Sequence, residues 1–521
     1  MNTTEFLTIA AAICPDKVAI SFEGKRYTFS QLNERANRLG NALSKLGVNK
    51  GDRVASFQVN TNQCVEMYFA VAKLGAIHVP INFRARGNEL AYMLNTADAN
   101  TLFTGDRYLS LVDSVKSTLT TVKNYISLDC PHQGMLYYED VIAKSIPDEI
   151  YTEIDENDTT ILMYTAGTTG FPKGVMLSHN SFSIYVLQNV SPADPETEEK
   201  NILTVPLYHV AGIQAMMAAI YGGRTLVMER QFEPKEWMGL VQNEKVSRAM
   251  MVPTMLKQLL DNPDFSKYNL KSLKVITYGA APMPLEVIKK ALDCFPGVNF
   301  INAFGQTETA STVTMLGPED HVITGTPEEK ERKLKRLSSI GKPMPDVEMR
   351  VLDENGNELP TGETGEIVAR GPRVMTGYWK DKEKTDKTID KDGWVHTGDM
   401  GYKDEEGYFF LAGRSTDMIK RGGEFISPEE VEIVMHSHPK IEEAALIGIP
   451  DVEWGEVPMC VVVLKKGMTA TPEELMEFCR NELASFKRPR SVVFVDELPR
   501  NPMGKVLKRV LREQYGKKPA S

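Results

Sequence analysis

Apolar residues along the chain recur in two rhythms that alternate. Val18-Ala19-Ile20-Ser21-Phe22 and Arg26-Tyr27-Thr28-Phe29 flank Glu23-Gly24-Lys25, which predicts a β-hairpin. Leu32, Ala36, Leu39, Leu43 and Leu46 then fall three or four apart, predicting a helix that opens at Ser30 as N-cap and closes at Gly47. A strand over Val54–Val59, a helix over Asn62–Leu74 and a strand over Ala76–Ile81 follow. Beyond Gly174 the rhythm continues with strands at Lys200–Pro206, Arg224–Met228 and Lys274–Tyr278 and a helix at Leu285–Cys294. Strands and helices alternating over short links predict an α/β fold in layered subdomains.

From Gly341 the texture shifts to short strands split by turns such as Glu354-Asn355-Gly356-Asn357, so a small β-rich subdomain is placed at about 341–413. The charged run Glu328–Arg336 reads as a solvated insertion. Past Arg414 a helix start is written in Ser427-Pro428-Glu429-Glu430, with Ser at the N-cap and Pro next to it. Strands at Ala444–Ile449, Met459–Leu464 and Ser491–Val495 and a helix at Pro472–Leu483 complete an α+β unit. The expected division is a large N-terminal domain, 1–414, and a C-terminal domain, 415–521.

Bulk composition narrows the partners. The formal net charge of −10 disfavours nucleic acid or an anionic membrane as the main partner. No stretch reaches transmembrane length, and Met1–Cys14 lacks the basic start of a signal peptide. The six cysteines form no CxxC pair and no zinc spacing, which suits a reducing, cytoplasmic setting. His436-Ser437-His438 reads as an exposed helix end before Pro439 rather than a metal pair.

The chemistry begins in the loop Thr165-Ala166-Gly167-Thr168-Thr169-Gly170-Phe171-Pro172-Lys173-Gly174. Glycines let backbone N–H groups converge on one anion, threonine hydroxyls add donors and Lys173 adds charge, so the loop is built for phosphate. It is not the common P-loop, because Pro172 stands where glycine would precede the lysine. Asn302-Ala303-Phe304-Gly305-Gln306-Thr307-Glu308 sets a carboxylate beside a hydroxyl, suited to Mg²⁺ and a phosphate. Gly279-Ala280-Ala281-Pro282 offers small residues at a strand end, where a flat ring can approach. Trp394-Val395-His396-Thr397-Gly398-Asp399 ends in a carboxylate able to accept paired ribose hydroxyls. Pro499-Arg500-Asn501-Pro502-Met503-Gly504-Lys505 holds a lysine in a constrained loop. By itself Lys505 reads as one of a basic, solvated group with Lys508, Arg509 and Arg512.

Taken in this order the motifs resemble the adenylate-forming (AMP-binding) superfamily, in its acyl-CoA synthetase branch. The resemblance implies ATP, Mg²⁺ and coenzyme A, with a carboxylic acid activated as its acyl-adenylate and passed to the thiol. It implies that Thr165, Ala166, Gly167, Thr168, Thr169, Gly170 and Lys173 cradle phosphates, and that Glu308 and Thr165 lie on the metal side. Thr307 would meet the α-phosphate. Gly279, Ala280, Ala281, Asn302 and Phe304 would surround adenine, Asp399 and Arg414 the ribose. Lys505 would bridge carboxylate and α-phosphate, where charge builds in the transition state. It further implies a mobile C-terminal domain whose rotation removes Lys505 and brings Gly423 to a pantetheine tunnel. Two positions depart from the usual pattern: Phe304 stands for tyrosine, and Thr416 takes a hinge position usually held by aspartate or lysine.

Val205-Pro206-Leu207-Tyr208-His209-Val210-Ala211-Gly212-Ile213-Gln214 resembles the segment beside the acid, with His209 at the pocket and counted with the catalytic set. With Met250, Met251, Met255 and Met283 it points to an apolar acyl tail, fatty or aromatic, although these methionines equally suit a plain core. The acid is the expected partner, with a homodimer left open. Loading of a carrier protein, a luciferase-like oxygenase and a non-enzymatic nucleotide sensor remain as alternatives.

Overall fold

The computed structural model describes residues 1–165, 172–421, 424–500 and 506–516. Its first long helix, Phe29–Lys45, opens at Thr28 rather than Ser30. Thr28 accepts from the Gln31 N–H and the Gln31 side chain accepts from the Thr28 N–H, a reciprocal box that Ser30 has no partner to form. Upstream, Thr4–Ile13 is also helical. Thr8 there turns its hydroxyl back onto Thr4 O, so a polar residue among apolar ones does not end the helix.

Two large sheets organise the N-terminal part. One has nine strands, with Asn299–Phe304, Val275–Gly279, Arg248–Met251, Lys200–Leu203, Thr225–Met228 and Val18–Phe22 running parallel in that order. The other has eight, in which Thr159–Thr165 pairs antiparallel with Lys173–Ser178 at one end. Helices are layered with the sheets, as the apolar runs of a parallel sheet require. Phe29, Leu39, Phe69, Ile213 and Met217 from helices share one buried core with Ile20 and Leu226 of the nine-stranded sheet and Ile161 and Val175 of the eight-stranded one. The mixed α/β class and the large-plus-small organisation are therefore as expected.

The β-rich segment is divided among sheets. Glu348–Leu352, Gly365–Arg370, Val395–Lys403 and Phe409–Arg414 form their own antiparallel sheet. Lys342–Pro343 instead extends the nine-stranded sheet, and Gly377–Tyr378 pairs with Met176 and Val175 of the eight-stranded one. That last pairing sets Tyr378 where its hydroxyl reaches Glu308, just past a strand of the nine-stranded sheet. The charged run forms the exposed helix Pro327–Arg336 behind a Thr326–Glu329 capping box.

C-terminal residues build a separate sheet, in which Ile441–Asp451 and Gly455–Leu464 form a long hairpin and Ser491–Phe494 adds in parallel. Two solvated readings are corrected here. His438 is buried, its ring edge-on to Phe478 at 4.8 Å, because the chain turns under the helix Pro472–Glu482 after His436. Lys508 is likewise mostly buried, paired with Glu432 at 2.8 Å. The hairpin's sheet touches the rest of the chain through Lys257 and Glu442, 2.5 Å apart. Among the described residues no helix is long and apolar enough to cross a membrane.

Candidate active site

Parallel strands deliver their carboxyl ends to one edge of a sheet, and loops leaving that edge carry the expected residues. Gly279 ends one strand and is register-paired with Ala303 on the next. A Cβ on Gly279 would run into Ala303 O, so glycine here serves close strand approach, not only room for a ring. Ala280 follows in the left-handed region at φ 66°, a conformation that costs energy for any residue but glycine. Asn302, buried on the neighbouring strand, commits its amide donor to Ser339 O at 3.2 Å. Phe304 closes that strand half-buried.

Gln306-Thr307-Glu308 leaves the strand as a short 3₁₀ turn over Thr307–Thr309. Gln306, within the same motif, joins two parts of the site. Its amide donates to Asp399 Oδ2 at 2.5 Å and to Thr397 O at 3.0 Å. Asp399 is buried, and its Oδ1 faces the Arg414 guanidinium at 2.7 Å. The two are register partners on adjacent strands, and Arg414 also donates to Thr397 O at 2.7 Å. A buried carboxylate held by one guanidinium and one amide is fixed in orientation.

On the other side, Glu308 accepts from the Tyr378 hydroxyl at 2.9 Å, and Glu308 O accepts from the Met375 N–H at 2.8 Å. Burial, then the charge of Glu308, pushes the Tyr378 phenol upward, so it stays protonated and donates. The Lys173 ammonium lies over the Tyr378 ring, 5.1 Å from its centre. Thr165 and Lys173 face each other at the loop end of their hairpin. Contacts thus run from Lys173 through Tyr378 to Glu308 and, two residues back along the same turn, from Gln306 to Asp399 and Arg414. Tyr378 was missed from sequence: its only signal is a Gly-Tyr-Trp triplet far from every motif.

His209 caps the helix Val210–Tyr221, its ring accepting from the Ala211 N–H at 3.3 Å. Burial pushes its imidazolium down to about 4, so it is neutral at physiological pH. Asn60 braces the segment before it, accepting from the Leu207 N–H at 2.9 Å and donating to Val205 O at 3.3 Å. Met251 is fully buried and Met255 and Met283 pack on the same core, so for these three the plain packing role holds. Ala166, Gly167, Thr168, Thr169, Gly170, Gly423 and Lys505 lie outside the described residues.

Among the described residues no three His, Cys, Asp or Glu converge as a protein-only metal cage. A single hard carboxylate, Glu308, with hydroxyls nearby is the donor set suited to Mg²⁺, which keeps waters and takes substrate phosphates as ligands.

Comparison with known proteins agrees with this geometry. The AMP-binding enzyme family model matches residues 7–379, and the AMP-binding enzyme C-terminal domain model matches residues 430–505. The chain is 36% identical to a long-chain-fatty-acid–CoA ligase of Bacillus subtilis strain 168, over 98% of this chain and 93% of the relative. It is 32% identical to the fatty acid–acyl-carrier-protein ligase ScoC of Streptomyces coeruleorubidus, over 96% and 94%. The crystal structure of the anthranilate CoA ligase AuaEII in complex with anthranoyl-AMP superimposes at a TM-score of 0.89 and 28% identity, covering 99% of this chain and 97% of that one.

Proposed function

This chain belongs to the AMP-binding enzyme family as an ATP-dependent, AMP-forming acid–thiol ligase of the acyl-CoA synthetase branch, and we propose the following division of labour within it. A carboxylate oxygen attacks the α-phosphorus of ATP, pyrophosphate leaves, and the thiol of coenzyme A then displaces AMP to give the thioester. The observation that carries the assignment is the turn Gln306-Thr307-Glu308, which joins the contacts of Lys173 and Tyr378 on one side to those of Asp399 and Arg414 on the other. Its phosphate end is Thr165, Thr307 and Lys173, and the loop 166–170 is assigned to the phosphates from its sequence. Its ribose end is Asp399, which can accept from the hydroxyls while Arg414 and Gln306 hold it still.

Gly279, Ala280, Ala281, Asn302 and Phe304 flank adenine. Glu308 and Thr165 would hold Mg²⁺, which when bound neutralises phosphate charge. Tyr378 orients Glu308 for that task. Lys505 supplies a cation where charge develops on the α-phosphate, and Gly423 lines the thiol's approach. The unit boundary is placed at 414/415, and the C-terminal unit is read as moving between the two steps.

Neutral His209, with the likeness to a long-chain-fatty-acid–CoA ligase and to an anthranilate CoA ligase, favours an apolar fatty or aromatic acid. A carrier-protein acceptor is the second reading, supported by the likeness to ScoC. The protein is read as cytoplasmic, and a homodimer is testable by light scattering.

The decisive experiment incubates the protein with ATP and a panel of fatty, aromatic and dicarboxylic acids, following pyrophosphate, then adds coenzyme A or a carrier protein. Apolar acids are expected to release pyrophosphate and, with coenzyme A, to yield thioester and AMP. No release with any acid would remove the reading. Transfer to the carrier alone would select the second.

A further inference from the structure

Lys173 does not stand alone at the mouth of the phosphate loop. Its ammonium lies over the Tyr378 ring, and the Tyr378 N–H is bonded to Thr385, the residue after Lys384, so the Lys384 charge acts on Lys173. Neither ammonium has a carboxylate within ion-pair distance among the described residues: the neighbouring Lys382 and Lys387 are the ones that pair, with Asp386 and Glu383. Glu308 and Asp381 are the acids facing Lys173, and both are engaged. Glu308 accepts from Tyr378, and Asp381 caps the helix Lys382–Thr388 by accepting from the Lys384 N–H at 3.0 Å.

The close approach is built in. Gly377–Tyr378 pairs with the strand that begins at Lys173. The Tyr378 N–H donates to Thr385 Oγ1 at 2.9 Å, and that hydroxyl donates to Asp381 O at 2.8 Å, which fixes the first turn of the helix bearing Lys384. Two half-buried like charges cost free energy unless an anion sits between or beside them.

We propose that Lys384 is a second phosphate-binding residue of the ATP site, forming with Lys173 a two-cation clamp for the β- and γ-phosphates and for the pyrophosphate that leaves. This rests on the ligase reading for the identity of the nucleotide. The clamp addresses the polyphosphate, not the AMP moiety. Asp399 and Arg414, at the ribose end, lie on the other side of the turn Gln306-Thr307-Glu308 from Lys173.

The test is calorimetric titration of inorganic pyrophosphate, ATP and AMP, each in magnesium buffer, into the full-length wild type and three variants, Lys384→Met, Lys384→Arg and Lys387→Met. Loss of one charge-assisted contact predicts about ten-fold weaker pyrophosphate and ATP binding in K384M. AMP binding should change less than about two-fold, K384R should recover most of the loss, and K387M, an exposed neighbour, should match wild type. Equal pyrophosphate affinity in K384M and wild type overturns the proposal, and so does an equal loss for AMP, which would signal general disruption. A wild type that binds neither pyrophosphate nor ATP overturns it as well. Lys384-dependent pyrophosphate binding without acid-dependent release in the panel above would keep the clamp and remove the acid-activation reading.

Discussion

Two buried carboxyls in this protein meet opposite fates. Asp399 is held by Arg414 and Gln306, so its charge is compensated where it is needed. Glu229 is 1% exposed, and neither of its oxygens reaches a partner at ordinary hydrogen-bond geometry among the described residues. Burial first, then the acids Glu236 and Glu233, pushes its carboxyl from 4.5 to about 9, against a small opposing effect of the Glu233 backbone. Its folded value lies above its unfolded one, so the acid contributes stability that is fully present below pH 4.5 and is lost as pH rises toward 9. Between those values the unfolded chain gives up a proton that the folded chain must keep. Glu229→Gln removes this penalty with nearly the same shape. It should raise stability by about 3 kcal/mol at pH 7 and by little at pH 4.5. Thermal melts of both proteins at pH 5 and pH 8 check it: a gain no larger at pH 8 than at pH 5 would show that Glu229 is not held neutral.

Strand ends, more than loops, set how tightly the nucleotide edge is built. Gly279 and Ala303 are register partners, and their backbones approach so closely that any Cβ on Gly279 meets Ala303 O. Gly279→Ala would therefore part the two strands where Phe304 and Gln306-Thr307-Glu308 begin. Because Gly279 has ordinary backbone angles, the effect is steric alone. Expected are a loss of about 1–3 kcal/mol in stability and at least a ten-fold fall in acid-dependent pyrophosphate release. Wild-type melting and activity would refute the close-packing account. Much at this scale was legible from sequence. Apolar spacing placed the helix Phe29–Lys45, and Ser427 caps the helix Pro428–His436 through the Glu430 N–H, as its Ser-Pro-Glu-Glu start predicts. The cap at Thr28 was misplaced by two residues because several hydroxyls compete there and only the one with Gln31 three residues on gains a reciprocal bond. His438 and Lys508 were read as solvated because local polarity cannot reveal a distant Phe478 or Glu432. The site divides the same way. Motifs display Lys173, Glu308 and Asp399, while Tyr378–Glu308 and Lys173–Lys384 arise from pairing of strands some two hundred residues apart, which no local pattern encodes.

At the scale of the molecule, the proposed movement of the C-terminal unit between the two steps would turn on the segment after Arg414. Asp417 N–H and Met418 N–H both donate to Arg414 O, at 2.8 and 2.9 Å, closing a single helical turn over Ser415 and Thr416. Thr416 is exposed at the third place of that turn, and Arg512 of the C-terminal unit reaches Asp417 at 2.7 Å. Ser427 Oγ donates to Ala412 O at 2.6 Å and Lys257 meets Glu442 at 2.5 Å, so polar contacts join the two units in this arrangement. Contacts of that kind are weak enough to exchange. Proline at position 416 would push Ser415 out of the helical region and so disfavour the turn seen here. Thr416→Pro should then slow one half-reaction at least ten-fold more than the other. Acid-dependent pyrophosphate release reports the first half, and thioester formation from purified acyl-AMP and coenzyme A reports the second. Circular dichroism melts of the same variant separate this from unfolding, which would depress both rates together. Equal rates to wild type in both halves would mean that Thr416 carries no hinge, and that any change of arrangement between the steps turns elsewhere in the chain.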